Sequence, residues 1–390
     1  MIKILSAVVL ISASLFAQDF DTFLDNALKN SPYLKSADLS ISQAREEGSI
    51  ITRYKNPTLE LEYSEFRPDN SKDDNGYRAA LTQPLRVWGM GKIAKAFADA
   101  TLKKAASRYS LSYSEFIRDI SLLYTEYANQ KKQLELGSEE LSIAKNIYEI
   151  SNQRNIAGTI SKGVMLQAQV DYEMAEIKTQ TLNLNIQETY FNLLKFAGIA
   201  NEIELDFRHE FKLASDALSY ENPNINYLKS YKEEAKANTQ VNSNSVKWID
   251  ITAEFENEPD QNIMRVGASI PLALFNTSHE EMQIAKLEAD KTELLIENEK
   301  AKISIENIKL KKQRELLLLL KAKNEETLKT QTKLLKMFED GYKIASINLL
   351  ELQNIKNKVI KTKESLIKIE TALNRSIITT NYEAGAYNDK

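Results

Sequence analysis

Two hydrophobic rhythms run along this chain, and each occurs twice. The first is strict alternation. Leu59, Leu61 and Tyr63 take one side of a short stretch, and Glu60, Glu62 and Ser64 take the other. Tyr77, Ala79 and Leu81 alternate with Arg78, Ala80 and Thr82. Far downstream, Ile249, Ile251, Ala253 and Phe255 alternate with Asp250, Thr252 and Glu254, and Met264, Val266, Ala268 and Ile270 alternate with Arg265, Gly267 and Ser269. A period of two predicts strands, here four strands in two hairpins of a length that spans an outer membrane when tilted.

The second rhythm is helical. Ile120, Tyr127, Leu134 and Leu141 recur every seven residues, with Phe116 and Leu123 beside them, and Leu287, Leu294, Ala301 and Ile308 repeat the spacing in the second half. Proline is excluded from helix interiors, and none occurs between Pro84 and Pro223 or after Pro271. Each long helix then runs for about 60 residues, or about 90 Å at 1.5 Å per residue, which implies a coiled coil or a tube. Gly137 inside the first marks an irregularity or a close approach.

The doubling is collinear. Pro32 and Pro223 are 191 residues apart, as are Pro68 and Pro259. Pro84 and Pro271, Trp88 and Phe275, Gly158 and Ala345, and Gly198 and Gly385 are all 187 apart. About four extra residues therefore sit between Pro68 and Pro84, in the polar loop around 69–75. The first strands of the two halves are out of phase by one residue at the 191 offset, which demands a bulge or a further single-residue indel. The reading is a first repeat over 18–198, with strands near 58–66 and 77–85, a long helix near 90–153 and a return helix near 161–197. A linker over 199–222 follows. The second repeat covers 223–385, with strands near 248–256 and 263–272, a long helix near 277–340 and a return helix near 348–384, before a tail at 386–390. Each long helix ends in a short polar turn, Arg154 to Ser161 and Asp340 to Asn348, with Ser161 and Asn348 as N-caps of the returning helices.

Composition narrows the setting. Lys3, the apolar run Ile4–Ile11 and the small residues up to Ala17 read as a signal peptide over 1–17. No later stretch is long and apolar enough for a membrane helix. The chain has no cysteine, which excludes disulfides and an N-terminal lipid anchor. With 51 Lys+Arg against 55 Asp+Glu, the charge balance does not suggest nucleic acid. Only His209 and His279 occur, and no metal cluster, phosphate loop or catalytic arrangement can be read, so neither a cofactor nor an enzyme is expected.

Tyr54, Trp88, Trp248 and Phe275 flank the helix-side ends of the strands, and Tyr63, Phe66, Tyr77 and Phe255 lie toward the loop side, as two aromatic rims of a membrane barrel would. Four strands cannot close a barrel and an open edge is not tolerated in lipid, so several copies must share one.

Carried on Gln83-Pro84-Leu85…Gly89-Met90-Gly91-Lys92, on Ile270-Pro271-Leu272-Ala273-Leu274-Phe275-Asn276 and on the two turns, the chain resembles the TolC family of outer-membrane efflux proteins. The resemblance implies a mainly α protomer with a membrane β-barrel. It implies a homotrimer with one twelve-stranded barrel in outer-membrane lipid and a twelve-helix periplasmic tube. It also implies an equatorial layer formed by Asp19–Asn30, Ile199–Asn222 and the C-terminal end. The implied function is the passive exit duct of a tripartite system, with a periplasmic adaptor and an inner-membrane pump of the RND type. Adaptor docking would fall on Arg154, Gly158, Thr159, Ile160, Ser161, Tyr342, Ala345, Ser346, Ile347 and Asn348. Ala345 departs from the family, where glycine is usual. Glu351 and Asn354 match an entrance position where some members carry an acidic pair; only one of the two is acidic here. The alternative is that Glu351 is a solvated residue. The apolar run Leu316–Leu320 needs cover on more than one side, from the equatorial layer or as interhelical core. A competing reading is a periplasmic coiled-coil adaptor or structural protein without a barrel. The cargo is not written in the chain.

Overall fold

A computed structural model describes residues 17–67, 73–214 and 222–388. The expected signal peptide (Ala17 apart), Pro68 with most of the extra loop, the last part of the linker and the end of the tail lie outside the described residues. The elements in order are α1 (Phe20–Asn30), α2 (Pro32–Thr52), β1 (Thr58–Phe66), β2 (Asp74–Arg86), α3 (Met90–Ile156), α4 (Lys162–Ala197), α5 (Pro223–Asn242), β3 (Trp248–Glu258), β4 (Gln261–Ser269), α6 (His279–Lys343) and α7 (Leu349–Glu383). They fall into two compact units, and α2, α3 and α6 contribute to both.

The first unit holds α1, α4, α7 and the C-terminal parts of α3 and α6. Its main core joins Phe20, Phe23, Ile120, Tyr124, Leu193 and Leu205. Phe20 packs 4.6 Å from Tyr124 and 5.0 Å from Phe211, centroid to centroid. The Tyr124 hydroxyl donates to the Asp206 carbonyl at 2.8 Å, so its polar tip is satisfied inside the core. The segment after α4 is thereby tied to α3, and a parallel bridge between Gln18 and Leu205 ties it to the start of the described chain. Helix α4 stops at Gly198, whose φ of 73° is left-handed; a Cβ there would lie 2.8 Å from Pro32 Cδ, so glycine is required on both counts. Gly137 marks a close approach rather than a break, since α3 runs through it and a Cβ would meet Leu182 of α4 at 2.8 Å.

The second unit holds the sheet, α5, most of α2 and the N-terminal parts of α3 and α6. Small residues let its helices approach closely: Ala44, Ala94, Ala98, Ala235, Ala285 and Ala289 are buried. Helix α5 bridges α3 and α6, through Lys104 to Glu234 at 2.6 Å and Ser107 to Ser230 at 2.7 Å on one side, and Tyr231 to Glu288 at 2.8 Å on the other.

Several expectations need correction. Helices α2 and α5 were not anticipated, although Ser31-Pro32 and Asn222-Pro223 are helix-start signals; the Asn222 side chain caps α5 and Pro223 is its first residue. The fourth strand ends at Ser269, short of 272, because Pro271 has no N–H for a ladder. No bulge explains the one-residue slip. All three strand pairs are in continuous register, and the offset falls from 191 at the first residues of α2 and α5 to 190 at those of β1 and β3. The missing residue therefore lies between the α5 start and β3. The seam Leu287, Leu294, Ala301 and Ile308 is not the inward face of α6: Leu287, Leu294 and Ile308 are exposed, and Ala285, Ala289, Thr292, Ile296, Ile303 and Leu310 are buried instead. Leu316, Leu318, Leu319 and Leu320 are also exposed, so neither an equatorial layer nor interhelical core covers them among the described residues.

Helix α7 is held to two neighbours by one carboxylate. Glu370 lies 2.9 Å from Lys132 of α3 and 3.3 Å from Lys321 of α6. Burial alone would raise this carboxyl, but the two ammonium groups outweigh it and hold it below the usual carboxylate range. A depressed carboxylate contributes stability above its unfolded value near 4.5, and that contribution is lost as pH falls through the lower folded value. Glu370→Gln should cost about 1 kcal/mol at neutral pH, since the pair is about one-third exposed and screened. The thermal-melt difference from the parent should shrink as pH drops below 4.5; a difference that stays constant with pH would refute it.

Candidate functional site

The four strands form one antiparallel sheet in the order β1-β2-β3-β4. Register decides its chemistry. Leu59 pairs with Leu81, Leu61 with Ala79 and Tyr63 with Tyr77. Ala79 then pairs with Phe255 and Leu81 with Ala253, and these pair in turn with Met264 and Val266. Side chains of paired residues share a face, so the alternation of all four strands adds up to a single apolar face. That face is uncovered: Leu61 is 75% exposed, and Met264 and Val266 are 84% exposed.

The opposite face is charged. Arg78 bridges Glu62 at 3.2 Å and Glu254 at 2.6 Å, and Arg265 binds both Glu254 and Glu256. One chain of ion pairs therefore crosses β1, β2, β3 and β4. The hydroxyls of Thr82 and Thr252 meet at 2.9 Å on the same face. The outer edges of β1 and β4 have no strand partner among the described residues.

The expected rim residues lie at one end of the sheet: Tyr54 before β1, Trp248 as the first residue of β3, and Trp88 and Phe275 after β2 and β4. Trp88 and Phe275 are fully exposed, while Trp248 is half-buried against Tyr54 at 6.3 Å, with the Arg86 guanidinium 4.7 Å over its ring. At the other end Tyr77 and Phe255 pack at 6.2 Å.

The two helical turns, both in the first unit, are copies of one motif. In the first, the amide and hydroxyl of Thr159 donate to the Arg154 carbonyl at 2.9 and 3.0 Å. In the second, the amide and hydroxyl of Ser346 donate to the Gly341 carbonyl at 2.9 and 3.0 Å. Each turn needs a left-handed residue, supplied by Gly158 (φ 72°) and by Ala345 (φ 63°). Ser161 and Asn348 cap the returning helices.

Gly158, Thr159, Ser161, Ala345, Ser346 and Asn348 are exposed, and Ile160 and Ile347 are half-buried. Tyr342 is not a surface group. It is 1% exposed, its hydroxyl meets that of Ser151 at 2.7 Å, and its carbonyl accepts from Arg154 at 2.9 Å. Arg154 also lies 4.6 Å over the Tyr342 ring, so these two residues join the turns rather than face outward.

Glu351 and Asn354 are exposed on one side of α7. Glu351 completes a capping box: its amide donates to the Asn348 side chain at 2.9 Å and its carboxylate accepts from the Asn348 amide at 3.2 Å. One turn on, Lys356 is 1% exposed and paired with Asp171 of α4, a buried charge that spacing alone did not flag. Among the described residues no group of three or more His, Cys, Asp or Glu is placed to hold a metal. Among the same residues no helix is long and apolar enough to cross a membrane.

Residues 23–198 match the family described as outer membrane efflux protein. No curated protein matches the chain by sequence. The fold is similar to that of the outer membrane protein VceC from Vibrio cholerae, with 14% identity, a TM-score of 0.78, and 94% of this chain and 95% of that chain covered. It is similar to the Campylobacter jejuni CmeC outer membrane channel, at 15% identity and a TM-score of 0.76 over 95% and 86% of the two chains. The open state of the Neisseria gonorrhoeae MtrE outer membrane channel gives 14%, 0.76, 93% and 88%. The family match covers 23–198, and the likeness of fold runs over nearly the whole chain. The TolC-like resemblance carried by the paired motifs is borne out.

The turn motif makes a reciprocal prediction. The exposed Ala345 methyl contributes no packing, and alanine in the left-handed region costs about 1 kcal/mol relative to glycine. Ala345→Gly should stabilise by about 1 kcal/mol and Gly158→Ala should destabilise by about as much, since a Cβ at Gly158 meets nothing within 4 Å. Denaturant midpoints shifting in the same direction for both variants would contradict this account.

Proposed function

We propose that this chain is the exit duct of a tripartite efflux system. In this reading three copies close their sheets into one twelve-stranded barrel in the outer membrane, and their helices form a twelve-helix periplasmic tube. The duct passively carries substrates delivered by an inner-membrane pump of the RND type through a periplasmic adaptor. The observation that carries the reading is the sheet: one uncovered apolar face, one charged face and two unpaired edges. Lipid suits the first, a water-filled lumen the second, and neighbouring copies the third. A periplasmic adaptor would leave that apolar face without a cover. The internal division into repeats over 18–198 and 223–385, joined by an equatorial linker, belongs to the same proposal.

Three copies would also set three Glu351 carboxylates in a ring beside Asn354 at the entrance, in addition to their capping role. Such a ring attracts cations. Light scattering in detergent should give a trimer, and planar bilayers should show a cation-preferring conductance that Glu351→Gln reduces. A folded monomer as the main species would sink the duct reading. A trimer whose Glu351→Gln form has unchanged selectivity would leave Glu351 as a cap alone.

The exposed turn residues are the proposed adaptor contact. Gly158→Arg or Ser346→Arg should abolish efflux in cells while leaving the trimer in the outer membrane. Full efflux from both variants would place the contact elsewhere.

A further inference from the structure

Beyond the last ion pair of the sheet, at its helix-side end, the second unit gathers cations of its own. Arg86 and Trp248 are register partners at the end of β2 and the start of β3. Side chains two apart on a strand share a face. Both residues therefore lie on the charged face, in line with the pairs Thr82–Thr252 and Arg78–Glu256 of the same ladder. Farther along that face Arg78 and Arg265 each meet two carboxylates. Beside Arg86 the matching stops. The connector between α2 and β1 brings Arg53, Tyr54 and Lys55 to Arg86 and Trp248, and with Ile50 they line a cleft of about 510 Å³. The lining holds three cations and no carboxylate. The acids of the flanking segments, Glu46, Glu47, Glu60 and Asp250, lie outside it.

The cleft is held in shape by hydrogen bonds to the connector. Arg86 Nη2 donates to the carbonyl of Ile51 and, at 3.1 Å, to that of Arg53, which caps the end of α2. Gln83 Nε2 donates to the Lys55 carbonyl at 3.1 Å. The Lys55 ammonium lies 5.2 Å from the centroid of the Trp248 ring, on which the Arg86 guanidinium also sits. An aromatic ring attracts a cation without neutralising it. The Arg53 guanidinium and the Lys55 ammonium donate to no acceptor among the described residues, and Arg86 Nε is buried without one. A cleft lined by one sign of charge concentrates counter-ions. Ile50 and Tyr54, 56% and 61% exposed, add an apolar wall beside the cations.

We infer that this cleft binds an organic anion, its acid group on Arg53 and Lys55 and its apolar body against Ile50 and Tyr54. The inference rests on the duct reading only for where the cleft opens. In that reading the charged face lines a water-filled lumen, so the ligand is an anionic amphiphile inside the duct. Trp88→Phe leaves Trp248 as the one tryptophan of the chain. In that background, with the protein in phosphatidylcholine nanodiscs, toluenesulfonate should change Trp248 emission saturably, because an anion draws Lys55 off the ring. Neutral toluenesulfonamide should not, and sulfate should need a concentration at least about tenfold higher. Arg53→Gln with Lys55→Gln should raise the toluenesulfonate midpoint at least about tenfold, and Lys55→Arg should leave it close to the parent value. Ile50→Asn should weaken toluenesulfonate and leave sulfate unchanged. Equal midpoints for sulfate and toluenesulfonate, an unchanged midpoint in the double variant, or no response to toluenesulfonate each overturn the site. In the last case, an emission change when phosphatidylglycerol replaces phosphatidylcholine assigns the cations to a lipid phosphate instead. The cleft is built by one chain, so saturable binding by a monomer supports the site while overturning the duct reading.

Discussion

The constraint on which the rest of the structure depends is a four-stranded sheet that is apolar on one face, charged on the other and open at both edges. Each feature alone is common. Together they cannot be satisfied by one chain in water. Exposed apolar area costs about 25 cal/mol per Å², and the sheet presents large side chains on all four strands. Unpaired edge groups invite pairing with another chain. The ion pairs from Glu62 to Arg265 satisfy the charged face within the sheet, so the unmet demand is confined to the apolar face and the edges.

The helices of the first unit repeat that incompleteness in another form. Long helices gain most of their stability from an apolar face packed on neighbours. Helices α3 and α7 find such neighbours within the chain, whereas α4 and α6 find them for one face and leave a second exposed. A helix with two apolar seams is wasteful in a monomer and reasonable in a tube, where every helix has a neighbour on each side.

At the turns the two hairpins are tied to one another. Two hairpins of equal build are joined by Arg154 on Tyr342, and their returning helices by Lys356 on Asp171. Burying a lysine is tolerable only with a partner in place, so α4 and α7 are held as a pair. The residues left exposed at the turns include the small and polar Gly158, Thr159, Ala345 and Ser346 and the apolar Ile344.

How much of this was legible in the sequence follows from what periodicity measures. A period of two located the four strands, a period near 3.6 located the long helices, and the offset of 187 matched the two turns, down to the left-handed residue at 158 and 345. Proline and N-cap chemistry at Ser31-Pro32 and Asn222-Pro223 could have found α2 and α5. Periodicity reports which faces are apolar, not what covers them. The heptad through Leu287, Leu294 and Ile308 was real, yet the chain buried the neighbouring seam through Ala285, Ile296 and Ile303. Tyr342 and Arg154 read as surface turn residues because nothing local shows that the two turns pack together. Nothing in the local sequence marks Lys356, since its partner lies 185 residues away. Sequence by itself determined the elements, their doubling and the polarity of each face, because these depend on neighbours within a few residues. Only the tertiary structure decided which seam turned inward, which charges met and which faces were left exposed, because those depend on residues brought together from opposite halves of the chain.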